Sequence, residues 1–203
     1  MIWYSSDFHL GHTNILKYCN RPFSNVDEMN RYIYDLMYNT MSENDTLIHL
    51  GDLIFKGKES IIENIDNSGV KLVNLKGNHD NKNLKYNIGN VLLKYNFAGQ
   101  DVILLEHRPS NECHHKKIFE TLGIKVCICG HVHNNSKWKV SDNCYAAYDP
   151  ELDVVNINVG LDCFGYKLVS EEDLNNLITH CVAHKNKLVR VFEYRDEKGN
   201  HVN

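Results

Sequence analysis

Short apolar runs recur along the chain, and most stop at a cluster of Asp, Asn or His. Residues 1–6 form the first and lead into Asp7-Phe8-His9. Residues 45–50 form the second and close on Gly51-Asp52. Residues 70–75 form the third and deliver Gly77-Asn78-His79-Asp80. Short apolar runs bounded by turn signals predict buried strands. The same pattern predicts strands over 91–97 and 102–106, joined by a hairpin connection at Ala98-Gly99-Gln100-Asp101, and the second of them ends at His107-Arg108-Pro109. Residues 124–129 read as a strand ending at Gly130-His131-Val132-His133. Two more strands are predicted over 154–159 and 187–194.

Between these runs the apolar period becomes helical. Met29, Ile33, Leu36 and Met37 form one stripe of a packing helix over 26–41, capped by Ser24 or Asn25. Further helices are predicted over 58–65, over 111–122 with Cys113-His114-His115 on it, and over 171–180. Ser170 caps the last, with Asp173 at the capping-box position. A short helix follows Leu10 to Ile15 and is broken at Arg21-Pro22-Phe23. Residues 81–90 are polar and read as an exposed loop with room for a helical turn, 134–150 as a long loop or ragged hairpin, and 195–203 as a charged, fraying tail. No repeat or low-complexity linker interrupts the pattern, so one domain over 1–203 is expected.

With 203 residues, 42% of them hydrophobic and 24% charged, the chain has the make-up of a soluble globular protein with a sizeable core. A formal net charge of −4 speaks against a strong grip on duplex nucleic acid, but leaves small anionic substrates open. No apolar run approaches the ~20 residues of a membrane helix. The first residues lack the basic and apolar regions of a signal peptide, so a cytoplasmic protein is expected, with no membrane partner. The seven cysteines, an odd number, then read as reduced thiols. Cys127 and Cys129 sit inside an apolar run and read as strand core, without the second pair that a zinc ribbon needs.

The polar clusters carry the chemistry. Ligands collect outside the carboxyl ends of strands in open α/β sheets. Gly77 allows a sharp turn there, and residues spaced i, i+2 on extended chain, such as Asp7 with His9 or His131 with His133, point the same way. Five loops together bring Asp7, Asp52, Asn78 and Asp80, and the imidazoles of His9, His79, His107, His131 and His133. That is too many ligands for one ion, whereas two ions ~3.5–4 Å apart and bridged by a carboxylate fit the set. Mixed nitrogen and oxygen donors suit manganese first, and iron, zinc, nickel or cobalt, over calcium or magnesium.

In their order, D-x-H, G-D, G-N-H-D, a lone His and G-H-x-H resemble the calcineurin-like metallophosphoesterases over about residues 1–180. The stretches Asp7 to Ile15, Arg21 to Phe23 and Asn158 to Cys163 resemble a small bacterial and phage branch of predicted phosphoesterases, although Arg108 stands where that branch commonly has Tyr. The resemblance implies an αββα sandwich of two facing mixed sheets flanked by helices. It implies that Asp7, His9 and His133 hold one metal ion, that Asn78, His107 and His131 hold a second, and that Asp52 bridges them. His79 would stand unmetallated, oriented by Asp80, and donate a proton to the leaving oxygen of a phosphate ester. His12, Arg21 and Arg108 are candidates for contacting the substrate, with an ion pair to a carboxylate as the other reading of Arg21. The expected activity is hydrolysis of a phosphate mono- or diester, tilted toward a diester or nucleotide because no insertion long enough for a cap separates the motifs. A phosphoprotein or small-molecule monoesterase and a noncatalytic binding module on the same fold are the alternatives. An amide or lactone hydrolase is disfavoured by the absence of a helical H-E-x-x-H.

Overall fold

The computed structural model describes residues 1–55 and 59–191. The first half runs β1 (Ile2–Ser5), α1 (Ile15–Tyr18), α2 (Val26–Thr40), β2 (Thr46–His49), α3 (Glu59–Asn67) and β3 (Lys71–Leu75). There follow β4 (Asn87–Gly89), β5 (Val91–Phe97), β6 (Gln100–Glu106), α4 (Lys116–Leu122) and β7 (Val126–Cys129). The chain then forms β8 (Lys139–Ser141), β9 (Cys144–Asp149), β10 (Val154–Asn158), β11 (Val169–Ser170), α5 (Glu171–Ala183) and β12 (Val189–Arg190).

These strands make two mixed sheets, ordered β11-β1-β2-β3-β4 and β12-β9-β10-β7-β6-β5, with β8 paired to β9 off that path. β1, β2 and β3 run parallel, and so do β6, β7 and β10. Parallel neighbours need crossovers, which α2 and α3 supply in the first sheet and α4 between β6 and β7. The pleat sorts the side chains of the first sheet. Trp3, Leu47 and Leu72 join Met29, Ile33, Ile61 and Ile65 of α2 and α3 in one core. Their neighbours Tyr4 and Ile48 join Leu104, Ile128 and Ile157 of the second sheet in another. Phe119 of α4 and Leu174, Ile178 and Cys181 of α5 add to that second core. Two sheets packed face to face with helices outside them are the αββα sandwich that the sequence implies.

Local chemistry explains most boundaries. Asn25, rather than Ser24, caps α2, its side-chain oxygen accepting from Glu28 N at 2.9 Å. Ser170 Oγ accepts from Asp173 N at 3.0 Å, as expected. The hairpin connection is shorter than expected. Ala98 and Gly99 alone make the turn, both with positive φ, and Gln100 already pairs with Phe97. Of the two readings of residues 134–150 the ragged hairpin holds, because Lys139–Ser141 pairs antiparallel and with an irregular register with Cys144–Asp149, a strand buried between β10 and β12. α4 starts only at Lys116, so Cys113, His114 and His115 precede it. The expected start of α3 at Lys58, the end of the last strand at Phe192–Tyr194, and the tail lie outside the described residues. All seven cysteines are buried and free. Among the described residues no helix is long and apolar enough to cross a membrane.

Candidate metal centre

Six parallel strand ends meet at one edge of the sandwich. The loops after β1, β2 and β3 bring Asp7, His9, Asp52, Asn78 and His79, and those after β6, β7 and β10 bring His107, His131, His133 and Asp162. Backbone hydrogen bonds sew the loops together. Asp7 N donates to Gly51 O at 3.0 Å, Gly130 N to His107 O at 3.0 Å, and Leu161 N to Ser6 O at 3.0 Å across the two sheets. Among the described residues ten non-glycine positions take positive φ, and Asp7 (60°), His9 (52°), Asp52 (57°), His131 (70°) and His133 (47°) are five of them. Left-handed backbone at a non-glycine residue costs on the order of 1–3 kcal/mol and collects at functional sites. It also corrects the expectation of extended chain at D-x-H and H-x-H, since β1 has ended at Ser5 and β7 at Cys129.

The side chains fall into two groups, Asp7 with His9 and His133, and Asp52 with His107 and His131, each with its ligand atoms within 4.8 Å of one another. His131 and His133 therefore serve neighbouring groups and not the same one. Asp52 joins the groups. Its Oδ2 lies 3.3 Å from His107 Nε2 and 3.6 Å from His9 Nε2. Asn78 Oδ1 completes the second group at 3.0 Å from His107 Nε2.

These donors fit divalent ions. His107 Nδ1 lies 2.8 Å from Leu50 O, a pure acceptor, so Nδ1 carries hydrogen and donates. Nε2 then faces two oxygens, Asp52 Oδ2 at 3.3 Å and Asn78 Oδ1 at 3.0 Å, a convergence that suits a positive charge, whether a proton on the ring or a metal ion in its place. His9 Nε2 is buried with no hydrogen-bond partner, 3.9 Å from Asp7 Oδ1 and 3.6 Å from Asp52 Oδ2. Those spacings exceed a hydrogen bond. They match ligand atoms that share an ion, which stand roughly 3–4 Å apart when each is ~2.0–2.2 Å from it. Without an ion the site balances its own charge: burial lowers the His107 imidazole, but the Asp52 hydrogen bond and the charges of Asp7 and Asp52 raise it above its usual value. Burial would raise the Asp52 carboxyl, but the His107 hydrogen bond and charge hold it well below the usual range. Burial lowers His9 to about 3 against the pull of Asp7 and Asp52, which keeps its ring neutral and its lone pair available.

Outer contacts aim the inner ones. His133 Nδ1 lies 2.9 Å from Asp162 Oδ2 and its Nε2 lies 3.8 Å from Asp7 Oδ1. A carboxylate on the far nitrogen fixes the tautomer of a ligating imidazole. Asp162 had no role in the sequence reading, although its motif Gly160-Leu161-Asp162 was visible there. Arg21 is corrected here. Its guanidinium is buried, forked onto Asp162 at 2.8 and 2.9 Å, and bonded to Asp7 O and Phe8 O, so it is the ion pair and no substrate contact. Glu112, also missed, places Oε2 3.2 Å from His131 Nε2.

Asp80 is corrected too. Oδ2 accepts from Asp52 N, Gly77 N and Asn74 Nδ2, and Oδ1 from Leu53 N and Ile54 N, at 2.9–3.2 Å. It positions the Asp52 loop and not His79. Gly77 is needed for close approach more than for turning, because a Cβ there would stand 2.1 Å from Asp52 Oδ1. A Cβ on Gly130 would stand 1.8 Å from Ser6 Oγ.

A cavity of ≈830 Å³ opens over the groups, lined among others by His9, His12, His79, His131 and His133. The His79 side chain is 42% exposed, with Nε2 4.0 Å from Asp52 Oδ2 and its backbone N donating to Asp52 Oδ1 at 2.8 Å. His12 is stacked on Phe55 with ring centroids 3.8 Å apart. Both line the cavity. Arg108 is half-buried and does not line the cavity, so the structure does not bring it to the site.

A family model for the calcineurin-like phosphoesterase superfamily domain matches residues 1–165. An uncharacterized protein of Methanocaldococcus jannaschii is 30% identical over 199 residues, covering 93% of this chain and 94% of its own. The crystal structure of a protein of unknown function from Aquifex aeolicus superposes with a TM-score of 0.67 at 23% identity, over 87% of this chain and 98% of that one. A predicted phosphoesterase from Streptococcus pneumoniae gives a TM-score of 0.41 at 14% identity, over 78% of this chain and 71% of that one.

Proposed function

The chain belongs to the calcineurin-like phosphoesterase superfamily, and we propose that it hydrolyses a phosphate ester with two divalent ions, acting on a diester or nucleotide. The observation that carries this reading is one oxygen. Asp52 Oδ2, buried, faces His9 of one ligand group and His107 of the other at 3.6 and 3.3 Å, the place of a bridging carboxylate. Asp7, His9 and His133 would hold one ion, Asn78, His107 and His131 the other, and Asp52 both. Manganese is the metal we expect. When bound, such a pair polarises the phosphoryl oxygens and activates water.

The remaining work falls to the chain itself. Asp162 and Leu50 O hold the His133 and His107 rings by their far nitrogens, so the ring nitrogens needed at the site stay directed at it. Asp80 holds the backbone of Asp52 to Ile54 in place. His79, exposed to the cavity with Nε2 4.0 Å from Asp52 Oδ2, is the side chain that would deliver a proton to the oxygen of the departing group. The exposed edge of that ring and the open cavity leave room for an extended substituent on the phosphate, and Tyr18 offers it an aromatic wall. This is why a diester or nucleotide suits the site better than a small monoester.

The test is an assay of manganese-reconstituted protein with p-nitrophenyl phosphate, bis(p-nitrophenyl) phosphate, nucleotides and cyclic nucleotides. Metal-dependent turnover that a chelator abolishes is expected. No turnover of any ester by protein carrying two ions would contradict the proposal.

A further inference from the structure

Cys144 and Cys181 take no part in the metal centre, yet their sulfurs stand 3.5 Å apart. Cys144 opens β9, and Cys181 lies in the last turn of α5. Both are buried, and Cys181 is fully so. Their surroundings differ. Cys144 lines a separate cavity of ≈440 Å³, walled by residues of the β8–β9 hairpin and of α5, and Cys181 does not reach it. Among the described residues this cavity shares no lining residue with the one over the metal groups. Lys167 and His180 line it beside Cys144, as does Asp173, whose carboxylate accepts from Ser170 Oγ. The contact between the two sulfurs holds the Cys144 thiol below its ordinary value and pushes Cys181 up, so Cys144 is the first of the pair to lose its proton. Burial pushes Cys113, Cys127, Cys129 and Cys163 up instead.

We propose that Cys144 and Cys181 are an oxidative modification site, forming a reversible disulfide when a small hydroperoxide enters this cavity. The thiolate is the attacking form of cysteine. Cys144 Sγ attacks one peroxide oxygen, the O–O bond breaks, and a sulfenic acid forms as hydroxide leaves. Cys181 Sγ then attacks Cys144 Sγ and gives up its proton, the S–O bond breaks, and the hydroxyl departs as water. Two thiols lose two electrons, and hydrogen peroxide gains them to become two waters. An S–S bond of ~2.05 Å asks the sulfurs to close by roughly 1.5 Å, which rotation of the two side chains can supply. The bond would tie α5 to the β8–β9 hairpin. The competing role is packing alone, with the two thiols filling core volume as the other buried cysteines do.

The test is a map of oxidised sulfurs. The folded full chain, reduced and then freed of reductant, is exposed to a small excess of hydrogen peroxide, blocked with N-ethylmaleimide and digested for mass spectrometry. The first product expected is the Cys144–Cys181 crosslink, formed in most chains and lost again with dithiothreitol. In Cys181→Ala, dimedone should trap a sulfenic acid on Cys144. In Cys144→Ala, Cys181 should remain a thiol. The wild-type map decides even where a variant fails to fold. Oxidation that begins at Cys19 or at any other cysteine would overturn the inference. So would a Cys144 that runs on to sulfinic acid beside an intact Cys181 thiol, or a wild type whose thiols all survive the peroxide.

Discussion

His79 and Asp80 are adjacent, yet the structure gives them different work. His79 has an exposed ring over Asp52, whereas Asp80 is buried under five donors. Replacing His79 with Asn should leave folding and metal content near wild type and slow turnover roughly 10²–10⁴-fold. The loss should be much larger for an alkyl ester than for a p-nitrophenyl ester, because p-nitrophenolate leaves without a proton. Equal losses on both, measured at saturating metal, would move the acid elsewhere, His12 first. Asp80→Asn should act through stability. An amide turns a donor toward N–H groups that now bond to oxygen, and each unsatisfied buried donor costs about 1–3 kcal/mol. A drop of about 3 kcal/mol, or roughly 6–12 °C in Tm for a chain of this size, is expected. Its activity loss should not depend on the leaving group. The imidazoles and acids of the site were legible in the sequence because their residue types announce metal chemistry. The orientation of Asp80 was not, since a carboxylate beside a histidine in sequence looks the same whether it bonds the ring or the loop behind it.

At the level of elements, the site depends on loops that touch. Gly77 follows β3 and lies against Asp52 after β2, and Gly130 follows β7 and lies against Ser6 and Asp7 after β1. Gly77→Ala would push a methyl group to within 2.1 Å of Asp52 Oδ1, so the Asp52 loop must shift. Overpacking of this kind costs about 1–3 kcal/mol. The variant should keep the circular dichroism of wild type but bind manganese much more weakly, as read by titration. Unaltered binding would mean that the close approach is dispensable. The strand ends β1, β2, β3, β6 and β7 were readable from apolar runs that stop at polar clusters. β9 was legible only as one arm of a ragged hairpin, because Cys144 to Asp149 mixes small, aromatic and acidic residues with neither a clean alternation nor an apolar run, and burial between two neighbours makes it a strand. Arg21 and Asp162 lie 141 positions apart, so their fork exists only in the fold.

Across the whole molecule, the two sheets exist to bring six parallel strand ends to one edge, three from each sheet. Neither sheet alone assembles a ligand group. Asp7 and His9 come from the first and His133 from the second, and Asp52 from the first meets His107 and His131 from the second. The family resemblance implied the same grouping of these side chains, and the structure brings them within ligand distance of one another. Left-handed backbone at five of the candidate ligands was invisible in the sequence, where strand periodicity suggested extended chain. The central claim is that Asp52 joins two metal groups across the sheets. Electron paramagnetic resonance of protein titrated with manganese tests it most directly. At two equivalents per chain the spectrum should be that of an exchange-coupled pair, and Asp52→Asn should lose that coupling. Saturation at one equivalent, or two equivalents with the signals of independent ions in the wild type, would contradict it.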